Sequence, residues 1–108
     1  MFKLKKQIEI SASHTLKHLP YKSPCKNLHG HNFKITVYCK TGQLKENGMI
    51  IDFTEIKRIV NQYDHRDLND FMEIPTAENF AKKLCHEIPQ CYKITVQETE
   101  GNEVTYEI

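Results

Sequence analysis

The chain has no long apolar run and no charged-then-apolar leader, so the expectation is a cytoplasmic protein with no membrane partner. Net charge is nearly absent as well. Fifteen Lys and Arg stand against fourteen Asp and Glu, a formal charge of +1, and no basic run is interleaved with aromatics, so no nucleic-acid partner is expected. Cysteine is present but without pattern: Cys25, Cys39, Cys85 and Cys91 form no Cys-x-x-Cys pair and no dense framework, which speaks against a disulfide scaffold and for a reducing compartment. Repeats, low-complexity tracts and linkers are missing too, so residues 1–108 read as a single domain. A domain of that size builds one core but encloses a deep pocket poorly, which predicts a homo-oligomer with sites between subunits.

What the chain does have is concentrated in Cys25-Lys26-Asn27-Leu28-His29-Gly30-His31. In an extended segment alternate side chains share a face, so His29 and His31 converge with Gly30 between them. A third imidazole lies upstream. Phe2, Leu4, Ile8, Ile10 and Ala12 alternate with polar residues, and His14 continues the apolar phase; His31 leads the phase Phe33, Ile35, Val37, Cys39. All three histidines therefore point inward, where unpaired imidazoles are costly to bury without a shared partner. Three histidines and one open position describe catalytic zinc, with His14, His29 and His31 as metal ligands. Cys25 has two readings beside them: a fourth ligand closing a structural zinc site, or a thiolate left free to act as a base.

Strand patterns cover about residues 2 to 10 and 31 to 40, joined by a long loop from 15 to 28 that carries Pro20 and Pro24. Its lysines, Lys17, Lys22 and Lys26, either meet an anionic group or simply solvate the loop. Met49-Ile50-Ile51 predicts a short extended piece. Asp52 with Glu55 resembles a capping box for a helix whose stripe is Phe53, Ile56, Ile59, Val60 and Tyr63. Thr76 caps a second helix, with Ala77, Phe80, Ala81, Leu84 and Ile88 on one face and Pro89 as the stop. Two further strands follow, around Tyr92, Ile94, Val96 and around Val104, Tyr106, Ile108, joined at Gly101-Asn102. Cys39 and Cys85 read as packing residues and Cys91 as a loop residue. The order ββααββ predicts an α+β sandwich, a four-stranded antiparallel sheet with two helices on one face.

Two groups break the pattern. Glu98 continues the buried phase of Tyr92, Ile94 and Val96, where a carboxylate is either used or exposed by fraying of the strand end; on a rigid strand it can accept two parallel N–H bonds from an aminopyrimidine edge. Asp64-His65 follows the first helix, either as an acid orienting an imidazole or as a capping turn. Together with zinc they suggest proton transfer: Cys25 removes a proton beside a polarised oxygen, and His65 with Asp64 relays or returns one.

Ser11-Ala12-Ser13-His14, Cys25-x-x-x-His29-Gly30-His31, Ile51-Asp52-Phe53, Asp64-His65-x-x-Leu68-Asn69, Pro75-Thr76-x-Glu78-Asn79 and Glu98-Thr99, taken in order, resemble the 6-pyruvoyl-tetrahydropterin synthase superfamily over nearly the whole chain. The three residues between Cys25 and His29 resemble its bacterial 6-carboxy-tetrahydropterin synthases of queuosine biosynthesis. The resemblance implies a T-fold lyase that converts 7,8-dihydroneopterin triphosphate to 6-carboxy-5,6,7,8-tetrahydropterin, acetaldehyde and triphosphate. It implies His14, His29 and His31 as zinc ligands, Cys25 as proton acceptor, Asp64 and His65 as relay, and Glu98 as the pterin anchor, also counted with the relay. It further implies a trimer-based hexamer with active sites between subunits. Tyr63, where leucine commonly precedes Asp-His, and Ser13, where alanine is common, depart from the pattern. The competing readings are a pyruvoyl-type synthase, which keeps the three-carbon side chain, and a non-catalytic zinc-stabilised pterin-binding module.

Overall fold

The strand that carries His14 runs further than its apolar alternation, because its partner is equally long. In the computed structural model, which describes residues 1–108, β1 (Phe2–His14) pairs antiparallel with β2 (His29–Thr41) without interruption from Phe2↔Thr41 to His14↔His29. Both histidine-bearing ends are thus strand, not loop. Helix α1 (Phe53–Asn61), the two-residue strand β3 (Arg66–Asp67), α2 (Ala77–Glu87), β4 (Cys91–Thr99) and β5 (Asn102–Glu107) follow.

The sheet has five strands in the order β3-β1-β2-β4-β5. It is mixed, which corrects the four-stranded antiparallel expectation: β3 lies parallel to β1, pairing Arg66 with Ala12 and Asp67 with Ser13. Two residues are too few to show a period, so nothing in the sequence marked that strand. Met49-Ile50-Ile51 is also not a strand; Ile50 and Ile51 are buried within turns and bends before α1. Cys91 opens β4 and is buried, where a loop residue was expected.

Both helices lie on the face predicted by the alternation. Ile8, Ile10, Phe33, Ile35, Val37, Ile94 and Val96 form one buried cluster with Ile56, Ile59 and Val60 of α1 and Phe80, Ala81 and Leu84 of α2. Each fully buried Phe, Ile or Leu contributes roughly 1.5–3 kcal/mol, so this shared face accounts for the two-layer arrangement. Local signals set the helix starts. Asp52 Oδ1 accepts from the Thr54 N–H at 2.8 Å, and Thr76 Oγ1 accepts from the Asn79 N–H at 3.1 Å. The capping box at Asp52 is only half made, because Glu55 turns to the Arg58 guanidinium at 2.6 Å instead of back to the cap. Phe53, placed on the apolar stripe, is 52% exposed. No helix is long and apolar enough to cross a membrane.

Candidate metal centre

Strand register brings the three imidazoles together. His14 sits opposite His29, and His31 lies two residues further along β2 on the same face, opposite Ala12. One ring nitrogen from each of His14, His29 and His31 lies within 4.8 Å of the others. The rings meet edge to face, with centroids 4.5 to 5.1 Å apart.

Hydrogen bonds fix which nitrogen His14 and His29 offer. His14 Nδ1 is 2.8 Å from the carbonyl of Pro75, and His29 Nδ1 is 2.6 Å from that of Asn27. A carbonyl only accepts, so each Nδ1 carries the proton and each Nε2 keeps its lone pair. This is the outer-layer arrangement that metal-binding histidines use. The Nε2 atoms of His14 and His31 are buried and have no hydrogen-bond partner. Two orphaned ring nitrogens, each 3.9 Å from Glu98, carry a desolvation cost that a shared cation would offset. Burial, the largest effect, holds the His31 imidazole below its ordinary range, partly opposed by Glu98 and reinforced by His14 and His29. That favours the neutral ligand form. The donor set suits a borderline metal ion such as zinc.

Glu98 faces the trio. Its Oε1 is 3.9 Å from His14 Nε2 and its Oε2 3.9 Å from His31 Nε2, beyond hydrogen-bond reach, and the side chain is 29% exposed. Strand alternation puts it there: Glu98 follows Ile94 and Val96 on the core face of β4, and it is also the unpaired residue where the β4–β5 register slips between Gln97 and Thr99. Glu98 also separates two cavities. One, about 220 Å³, is shared with the trio and Cys25; the other, about 320 Å³, with Glu78 and Asn102.

Cys25 reaches the first cavity because the long loop folds back on itself. The Leu16 N–H donates to the Cys25 carbonyl at 2.8 Å, and Ser23 Oγ accepts from the Cys25 N–H at 3.2 Å at the start of the short turn Pro24–Lys26. The thiol is free, only partly buried, and outside the group of converging donor atoms. The other three cysteines are buried. Burial pushes the Cys85 thiol up to about 12, and its hydrogen bond with Cys39 raises that of Cys91, so both stay protonated packing groups.

Asp64 and His65 are also in contact, with His65 Nδ1 3.0 Å from Asp64 Oδ2. They cap no helix; they clasp β1. Asp64 Oδ1 accepts from the Ser11 N–H at 2.9 Å, and the His65 N–H donates to the Ser11 carbonyl at 2.6 Å. The Ser11 bond, the largest effect, holds the Asp64 carboxyl below its usual range. His65 adopts φ +60 and its side chain is 81% exposed, lining a groove of about 440 Å³ that His31 also borders. In one chain, then, Cys25 and His65 line different cavities, and His31 belongs to both.

Three contributors escaped the sequence reading. The Pro75 and Asn27 carbonyls carry no side-chain signal at all. Asn69, part of the Asp64-His65-x-x-Leu68-Asn69 run, had no role assigned, yet it binds both backbone groups of Thr15 beside His14.

The model of the family described as 6-pyruvoyl tetrahydropterin synthase matches residues 3–108. A protein of Archaeoglobus fulgidus, named provisionally as a 6-carboxy-5,6,7,8-tetrahydropterin synthase, is 43% identical over 88 residues, covering 77% of this chain and 76% of its own. The dihydroneopterin monophosphate aldolase of Pyrococcus furiosus is 32% identical over 114 residues, covering 97% and 98%. Among solved structures, the Caenorhabditis elegans 6-pyruvoyl tetrahydropterin synthase superposes with a TM-score of 0.78 at 26% identity, covering 99% of this chain and 95% of that one.

Proposed function

Because the chain belongs to the 6-pyruvoyl tetrahydropterin synthase family, we infer that it is a zinc-dependent 6-carboxy-5,6,7,8-tetrahydropterin synthase acting in queuosine biosynthesis. The reaction takes 7,8-dihydroneopterin triphosphate and water to 6-carboxy-5,6,7,8-tetrahydropterin, acetaldehyde and triphosphate. The observation that carries this reading is the pair of buried, unpartnered Nε2 atoms on His14 and His31, set among three converging imidazoles. The likeness to the Archaeoglobus fulgidus protein supports the carboxy-type product.

His14, His29 and His31 would hold the metal. The chemistry zinc supplies when bound is Lewis-acid polarisation of an oxygen on the substrate side chain. Cys25, sharing the cavity with the trio, accepts a proton from the side-chain carbon or hydroxyl beside that oxygen. Asp64 holds His65 through Nδ1, which leaves the opposite ring nitrogen to relay or return a proton. Glu98, facing the trio and bordering two cavities, anchors the pterin ring through paired N–H bonds and joins the relay.

Cys25 and His65 line separate cavities within one chain, which supports a site completed between subunits. The sheet supports the same assembly: β3 covers only Ala12 and Ser13 of β1, and β5 is the opposite outer strand, so both edges are available to further copies. A trimer-based hexamer in the cytoplasm, where four free thiols persist, is the assembly we assign.

The near end-to-end likeness to the Pyrococcus furiosus aldolase favours a second reading, cleavage of the side chain of dihydroneopterin monophosphate. Offering the triphosphate and the monophosphate in parallel, and following acetaldehyde with an NADH-coupled alcohol dehydrogenase, separates the two. Acetaldehyde from the triphosphate, lost on chelation, supports the synthase; consumption of the monophosphate alone replaces it with the aldolase.

A further inference from the structure

His14 is the last residue of β1, where a strand would ordinarily fray, yet it is only 1% exposed. The segment from Asp64 to Asn69 prevents fraying by running alongside it. Asp64 Oδ1 and the His65 N–H take the two backbone groups of Ser11, and Arg66 and Asp67 pair with Ala12 and Ser13. The backbone then turns away at Leu68–Asp70, pinned by Leu68, which is wholly buried. At that point a side chain takes over. Asn69 Oδ1 accepts from the Thr15 N–H at 2.8 Å, and Asn69 Nδ2 donates to the Thr15 carbonyl at 3.2 Å. Asp67 Oδ1 in turn accepts from the Asn69 N–H at 3.0 Å, which holds the turn in place.

Thr15 is 8% exposed and lies beyond the last ladder pair of β1, so without the carboxamide its two backbone groups would be buried and unpaired. The carboxamide has one acceptor and two donors, which lets a single side chain imitate the next residue of a strand.

We propose that Asn69 is a positioning residue for the metal centre: it extends the pairing of β1 past His14, so that the strand end, and with it the His14 Nε2, is held at the trio. The proposal rests on the reading of His14, His29 and His31 as a metal site. Asn69 touches neither metal nor substrate. It also makes His14 and the Asp64–His65 pair parts of one hydrogen-bonded unit, since the same six-residue segment clasps both ends of Ser11–Thr15.

The test is zinc affinity of the intact protein, measured by competition with a chromophoric chelator, with the cobalt(II) visible spectrum as a report on ligand geometry. Asn69→Ala should weaken zinc binding by about tenfold, the lower end of the range for groups bonded to a ligand directly, because Asn69 acts on His14 through Thr15, and should change the cobalt bands. A merely structural role lowers the unfolding temperature of the zinc-free protein but leaves the zinc affinity of the folded protein at the wild-type value; that result overturns the proposal. If N69A cannot be purified folded, Asn69→Asp carries the test, because it keeps the acceptor for the Thr15 N–H and loses the donor to the Thr15 carbonyl. Weakened binding by N69D supports the role, and wild-type affinity overturns it. Failure of the wild-type protein itself to bind zinc overturns the metal reading, a result distinct from tight binding by both wild type and variant.

Discussion

The Nδ1–H of His14 donates to the carbonyl of Pro75 at 2.8 Å, across 61 residues of sequence. A strand end is thereby tied to the segment that starts α2, whose cap is the next residue, Thr76. The bond orients the ring so that Nε2 faces His29 and His31.

Zinc bound at the trio should raise the unfolding temperature, since a ligand at 100 times its Kd stabilises the folded state by about 2.7 kcal/mol. His14→Ala should abolish that rise, as should chelation of the wild-type protein. Calorimetry with and without zinc reads both; an equal rise in H14A would show that the metal binds elsewhere.

Cys25 lies outside the converging donors but inside their cavity. Cys25→Ala should therefore keep the zinc content of the wild type and lose about 10²–10⁴-fold in kcat, the range for a general base. Loss of zinc together with activity would return the thiol to the role of fourth ligand.

For Asp64 the sign follows from a carboxyl held below its usual range, chiefly by the Ser11 N–H. Its ionised form contributes stability above the unfolded value near 4, and that contribution is lost as pH falls through the lowered folded value. Carbon-13 NMR should find Asp64 titrating below ordinary aspartates. Acid unfolding of Asp64→Asn should lack the corresponding limb; an unchanged profile would detach Asp64 from the Ser11 clasp.

Tyr63, immediately before the Asp64–His65 pair, is 1% exposed, and its hydroxyl donates to Glu87 Oε1 at 2.5 Å. Burial, then Glu87, raise its pKa, so the bond's contribution is present at neutral pH and lost only as pH rises through the strongly alkaline range. Tyr63→Phe should cost about 1.5 kcal/mol at pH 7, the low end for a hydrogen bond to a charged group. Urea unfolding checks it, and no loss would mean that packing against Phe71 and Phe80 alone holds the ring.

The histidine trio could be read in the sequence because strand alternation is a local rule: once Ile8, Ile10 and Ala12 share a phase, so does His14. Glu98 was visible for the same reason, as a carboxylate in an apolar phase. Its nearness to both His14 and His31 was not, since that depends on how β4 pairs with β2. The parallel strand Arg66–Asp67 left no trace, because two residues have no period. Met49-Ile50-Ile51 misled for the opposite reason: an apolar run marks burial, and burial does not require a strand. The bonds from Pro75 and Asn69 to the His14 region span 61 and 54 residues and use backbone groups, which every residue has. Only the fold could show them.

The most direct measurement is the mass of the pterin formed from 7,8-dihydroneopterin triphosphate by the zinc-loaded protein, with a chelated sample beside it. The zinc-loaded protein should form 6-carboxy-5,6,7,8-tetrahydropterin together with acetaldehyde, and the chelated protein neither. A product that keeps its three-carbon side chain, or turnover that survives chelation, would contradict the zinc-dependent synthase reading.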